Sequence, residues 1–354
     1  MNKKYLIISI LIICIVLVAG VSILQHQNSS GDDDVTEGET FTFVDAKGYE
    51  HTISTPISNV SVVHKYIPIF MKILGVEDEV AGLDSTYGMT FSEYFKNSFP
   101  IGEYSEPDGA TMISHGSKVI LTPITMGLSN ADALKEMGIE VIYIDLTDPY
   151  VIEENLELLV KLFGATEKIK SNFNKYMELF NECGDFVSQF NFDETKDKNF
   201  TLFMASSGFY HTHASAAVKV IESISGKSYT HIIDPNVKDT VYFYQDPSVL
   251  VDFDGKHTLD YMFIYTMDTP QQNYQKFLTS GKDIDYTQLT CIKTKNTYSI
   301  STDCVNGALS CISQILYADA FGADVGDKAV EMIQKFNDAF GLQYSTNDLI
   351  VEVA

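Results

Sequence analysis

From residue 40 the chain switches repeatedly between two rhythms of apolar and polar positions, one of period two and one of period 3.6. "TFTFVDAKGYEHTIS" alternates across a turn at "AKG" and predicts a β-hairpin. "NVSVV" is a short apolar, β-branched run, and "IPIFMKILG" follows it with helical spacing that stops at Gly75. "VAGLD" and "KVILTP" predict strands, "ADALKEMG" a helix with a glycine stop, and "EVIYID" a further strand. Strands alternating with helices predict a parallel sheet covered on both faces.

From Ala165 the rhythm changes. "ATEKIKSNFNKYMELFNECGDFVSQF" puts Ile169, Phe173, Tyr176, Phe180, Cys183, Val187 and Phe190 on one helical face, which predicts one long amphipathic helix running through Gly184. "NFDETKDKN" ends it, and alternation restarts. "FTLFMAS", "YMFIYT" and "TYSIST" predict strands, and "SAAVKVIESISG", "NGALSCISQILYADAFG" and "VEMIQKFNDAFG" predict helices. The order is a strand–helix lobe, a long helix, and a second strand–helix lobe.

Ahead of this pattern, "MNKKYLIISILIICIVLVAGVSILQ" carries Lys3 and Lys4 and then no charge from Tyr5 to Gln25. About 20 apolar residues span a bilayer, whereas a cleaved signal has an apolar core of roughly 7–15. The reading is an uncleaved membrane anchor; a signal peptide cut near Ala19–Gly20 is the alternative. Lysines before the span keep that end in the cytoplasm, so the domain lies outside under either reading. "HQNSSGDDDVTEGET" is a polar, acidic tether. The expected boundaries are 1–38 for anchor and tether, 39–164 for the first lobe, 165–196 for the inter-lobe helix and 197–354 for the second lobe.

Charge narrows the function. Acids number 48 and bases 24, for a net charge of −24, and every base is lysine. A chain without a basic stripe is no nucleic-acid binder. Without arginine it also lacks the residue best suited to bidentate capture of anions. The 5 cysteines form no CxxC pair; Cys304 and Cys311 are read as buried free thiols rather than a bridge. "ISGKS" has Ile221 where a P-loop needs glycine, so it is a helix stop.

"FVDAKGYEHTISTPISNVSVVHKYIPIFMKILGVEDEVAGLD" and "ALKEMGIEVIYIDLTDPYVIEENLELLVKLFGATEKIKSNFNKY" resemble the class III periplasmic binding proteins of ABC importers, over roughly residues 40–350. That family delivers ferric siderophores, cobalamin or haem to its permeases. The resemblance implies an α/β fold of two Rossmann-like lobes with mostly parallel sheets, joined by one long α-helix, with the ligand cleft between the lobes. It also implies a single-chain receptor with no intrinsic cofactor and no covalent chemistry, whose cargo is a small-molecule metal complex and whose partner is an importer permease. Such proteins dock through one glutamate in each lobe. This chain has Ala110 at the first position, with Glu106 and Asp108 nearby as substitutes, and offers Asp246 in the second lobe.

Ligands of open parallel sheets sit beyond the carboxyl ends of the strands. That rule nominates His64, Lys65, Tyr66, Ser85, Thr86, Tyr87, Glu103, Tyr104 and Thr125 in the first lobe. In the second it nominates Phe209, Tyr210, His211, His213, Thr266, Met267, Asp268, Thr302 and Asp303. In extended backbone His211 and His213 face the same way, so they are candidate metal ligands, directly or through a bound chelate. A bare ion needs a third ligand, from His231 or from His64 across the cleft. The alternatives for this pair are a cargo wall, with imidazole or phenol as axial ligand, or one histidine facing cargo and the other bonded to backbone. Few bases line the cleft, which suits a hydroxamate chelate or a corrinoid better than an anionic catecholate. Two other functions stay open: a metal-dependent enzyme using the His pair, and a surface interaction module that has lost its permease.

Overall fold

The computed structural model describes residues 38–124, 127–204, 209–233, 241–244, 248–266, 270–280 and 285–352. The expected membrane anchor lies outside them; among the described residues no helix is long and apolar enough to cross a membrane. β1 (Glu39–Val44) and β2 (Glu50–Thr55) form the antiparallel hairpin that alternation predicts. The hairpin is pinned to the first sheet by one buried ring. His51 reaches Asp45 through Nε2 at 3.0 Å and Glu140 through Nδ1, and the Tyr143 N–H donates to the same Asp45 carboxylate at 3.1 Å.

The first lobe is built on β3 (Val60–Val62), β4 (Val80–Leu83), β5 (Phe99–Pro100), β8 (Val119–Pro123) and β9 (Glu140–Ile144), with the two-residue strands β6 (Gly102–Glu103) and β7 (Glu106–Pro107) pairing separately. The order β5-β4-β3-β8-β9 is parallel throughout. All three residues of β3 are buried, as a strand covered on both faces requires. The helix Tyr66–Leu74 ends at Gly75, whose φ of 73° suits glycine, and a Cβ there would lie 2.7 Å from the Asn172 side chain. Asn172 and Lys168 occupy that space because they donate to the carbonyls of Leu74 and Gly75. The inter-lobe helix thus completes the end of the first-lobe helix.

That inter-lobe helix is Glu167–Val187. Thr166 caps it by accepting the Ile169 N–H, and Gly184 lies inside it without breaking it. Its buried face carries Ile169, Tyr176, Met177, Cys183 and Val187; Phe190 falls beyond its end. Tyr176 is fully buried, with its ring against Phe70, Phe336 and Phe340 and its hydroxyl donating to the Ala308 carbonyl at 3.1 Å. One core cluster therefore runs from the first lobe through this helix into the second.

The second lobe contains β10 (Asn199–Met204), β11 (Phe209–His211), β12 (Lys227–Ser228), β13 (Tyr242–Tyr244), β14 (Tyr261–Thr266), β15 (Thr297–Ser301) and β16 (Ile350–Glu352). β10, β14 and β15 are the parallel centre, with β12 also parallel to β10. The flanks differ from the expected parallel order: β11 and β13 on one side and β16 on the other run antiparallel. Cys183, Cys291, Cys304 and Cys311 are all buried free thiols, which for Cys304 and Cys311 is the reading made from the sequence.

Candidate functional site

The carboxyl ends of β3 and β4 are tied together by one carboxylate. Asp84, buried just after β4, accepts backbone N–H bonds from His64 (2.7 Å), Thr86 (3.0 Å), Tyr87 (2.7 Å) and Gly88 (2.9 Å). Burial raises its pKa and outweighs these four donors, which act the other way. The effect on structure is to hold His64 at φ 69°, a left-handed backbone that a histidine adopts only when held.

So placed, the His64 ring is 0% exposed and sits among aromatics, with centroids 4.4 Å from Tyr66, 5.1 Å from Tyr87 and 6.1 Å from Tyr104. Tyr87 and Tyr104 lie 5.3 Å apart. Neither ring nitrogen of His64 has a hydrogen-bond partner among the described residues. Burial, followed by the neighbouring Lys65 charge, lowers its pKa to about 3, so the imidazole is neutral and offers one lone pair and one N–H. Beside it Thr86 donates its hydroxyl to Glu103, and burial raises the Tyr87 phenol above its ordinary value, so that group stays protonated. Ser85 is exposed. The first-lobe nominees His64, Tyr66, Tyr87 and Tyr104 therefore form one aromatic cluster, with Thr86 and Glu103 hydrogen-bonded alongside.

Lys65 points to the second lobe. Its ammonium pairs with Asp303 at 2.9 Å, the two side chains being 11% and 19% exposed. Asp303 lies in the short helix Thr302–Asn306 after β15, and its N–H is held by Ser301 Oγ. Thr302 is buried.

The second-lobe histidines have different surroundings. His211 is buried, its Nε2 bonded to the Tyr265 hydroxyl and its Nδ1 3.2 Å from Ser215 Oγ; burial lowers its pKa to about 4. The strand ends at His211, so the alternation that would turn His213 the same way stops short of it. The His213 ring lies 4.6 Å from His231, which in turn reaches Glu222 at 3.4 Å. Among the described residues no group of three or more His, Cys, Asp or Glu is placed to hold a metal ion. Tyr210 is also no cleft wall. It is fully buried on the opposite face, 4.6 Å from Phe203 and 5.5 Å from Tyr229. The sequence reading missed Tyr265 and Ser215 as the partners that fix His211; both lie in the second lobe's strand and helix-cap positions.

Thr125, Met267, Asp268 and Asp246, and the side chains of Phe209 and Thr266, lie outside the described residues. Of the candidate docking acids, Glu106 is exposed, whereas nearby Asp108 caps the helix Gly109–Ser114 through the N–H groups of Ala110 and Thr111. Cavities of about 380 Å³ and 540 Å³ border the far half of the inter-lobe helix, and neither is lined by a cleft residue.

No family model matches the sequence, and no curated protein is similar to it. Solved structures do match its fold. The TroA-like periplasmic binding protein FepB from Veillonella parvula superposes with a TM-score of 0.64 at 14% identity, covering 88% of this chain and 99% of that one. CeuE from Helicobacter pylori, solved as a Ni-His complex, gives a TM-score of 0.64 at 14% identity over 86% of this chain and 97% of its own. An ABC-type Fe3+-hydroxamate transport protein from Saccharomonospora viridis gives 0.60 at 14% identity over 80% and 99%. At such identities the likeness is one of fold, and the sequence-level resemblance pointed to that same fold: this chain has the two-lobed architecture of the TroA-like periplasmic binding proteins.

Proposed function

We propose that this protein is an extracytoplasmic solute-binding protein that captures a metal chelate in its inter-lobe cleft and presents it to an ABC importer. The observation that carries the reading is His64. Leaving a buried polar ring without a partner costs about 1–3 kcal/mol, and a ligand that bonds the ring would remove that cost. A neutral imidazole suits a metal already held by a chelator or macrocycle. The tyrosine faces around it suit a flat, partly apolar body with polar edges. Lys65 is neutralised by Asp303 and Glu103 lies alongside, which favours a neutral or cationic complex such as a ferric hydroxamate or cobalamin over an anionic catecholate. Glu106 and Asp246 are the proposed permease contacts, the N-terminal apolar run the membrane anchor, and a single chain the working unit. The Saccharomonospora viridis protein of like fold is named for Fe3+-hydroxamate transport, which supports the same class of cargo.

His64→Asn tests it. Asparagine tolerates the left-handed backbone, so the loop and the Asp84 bonds are retained while the ring is lost. Binding of the cognate chelate by the full-length protein, read by calorimetry and by the chelate's visible spectrum, should weaken by more than about tenfold, or ~1.4 kcal/mol. Unchanged affinity and spectrum would remove His64 from the site.

A further inference from the structure

The lobes are joined in two ways. Through the core they are joined by the helix Glu167–Val187 and by Tyr176, which touches Phe70 on one side and bonds Ala308 on the other. At the carboxyl ends of the strands they are joined by Lys65 and Asp303. Lys65 directly follows His64 and precedes the buried helix Tyr66–Leu74, so its backbone is fixed; Asp303 is fixed by the Ser301 cap. Both side chains are largely withdrawn from water, where a pair is screened less than on the surface and where removing one partner strands the other. We propose that the Lys65–Asp303 pair is a latch, holding the two lobes together across the mouth of the cleft, so that ligand entry is coupled to opening this contact. The cluster His64, Tyr66, Tyr87 and Tyr104 lies next to the latch along the chain and in space. In this proposal a ligand entering between the lobes passes the Lys65 ammonium and the Asp303 carboxylate to reach it. This rests on the cargo reading only for what is admitted; the latch itself is a contact within the protein.

The test accordingly uses no cargo. Hydrogen–deuterium exchange of the full-length protein would be followed for Lys65→Met, for Asp303→Asn and for the charge-swapped double variant carrying Lys65→Asp with Asp303→Lys. Each single variant should exchange roughly threefold to tenfold faster at residues 63–66 and 302–306. The helix Glu167–Val187 should stay as protected as before, which also reports that the variant is folded. The swapped pair should recover much of the lost protection. Where Lys65→Met does not fold, Lys65→Gln, which keeps a polar tip, takes its place. Wild-type exchange in both single variants, or a swapped pair no better protected than either single, would overturn the latch. Neither result bears on whether chelate binds at His64, which the affinity measurement decides separately.

Discussion

At the scale of the residue, two buried imidazoles make acid stability predictable. His64 and His211 carry pKa values lowered to about 3 and about 4, chiefly by burial, from 6.5 in the unfolded chain. Between these values and 6.5 the unfolded chain binds the protons and the folded chain does not. The stabilisation is therefore complete above pH 6.5 and is lost as pH falls, with a slope approaching about 1.4 kcal/mol per pH unit for each ring. Carboxylates titrate mostly below about pH 4.5, so urea midpoints between pH 6.5 and 5 isolate the histidines. His64→Asn or His211→Asn should each flatten that dependence. A wild-type profile that is flat over the same window would mean the rings are hydrated. The two residues differ in purpose. The His211 ring is hydrogen-bonded by Tyr265 and Ser215, whereas the His64 ring packs among tyrosines and has no hydrogen-bond partner among the described residues.

At the scale of the element, Tyr176 shows how one helix makes two lobes into one body. Its hydroxyl serves the Ala308 carbonyl and its ring fills the space between Phe70 and Phe336. Tyr176→Phe should lower unfolding free energy by about 1 kcal/mol, and Tyr176→Ala by about 3–5 kcal/mol, read from urea midpoints. Equal effects of the two substitutions would mean that the ring contributes nothing. This helix was legible in the sequence because 21 residues give its 3.6-residue period room to repeat. The parallel sheet of the first lobe was legible for the same reason, through strands and helices that each keep one rhythm. β11 was not. A three-residue strand on a sheet flank is too short for alternation to distinguish it from a loop, so "FYHTH" read as one open wall. In the structure Tyr210 turns into the core, His211 to Tyr265, and His213 past the strand end to His231. The strand-end rule nominated His64, Lys65 and Asp303 separately. Their relationships were beyond it, because an unpartnered ring and an ion pair between lobes depend on which distant segments meet, and no local pattern encodes that.

At the scale of the whole molecule, charge decides which cargo the proposed cleft would accept. The net charge of −24 places the cleft in a negative field, and the one lysine described at its mouth is paired. An anionic catecholate complex would be repelled on approach and would find no arginine on arrival. Neutral hydroxamate chelates and corrinoids escape both effects. A thermal-shift series on the full-length protein should therefore show stabilisation by a ferric hydroxamate or cobalamin, and none by a ferric catecholate at equal concentration. A ligand at about 100 times its dissociation constant adds roughly 2.7 kcal/mol, a shift of several degrees. Salt separates the field from the contacts. For a cationic complex the association rate should fall as ionic strength rises, while the dissociation rate stays nearly constant. A catecholate that binds while neutral chelates do not would sink the charge argument and redirect the search to Met267 and Asp268, which follow Thr266 in the sequence. A response to bare nickel, cobalt or zinc alone would instead return attention to His213 and His231, the two imidazoles that the second lobe brings side by side.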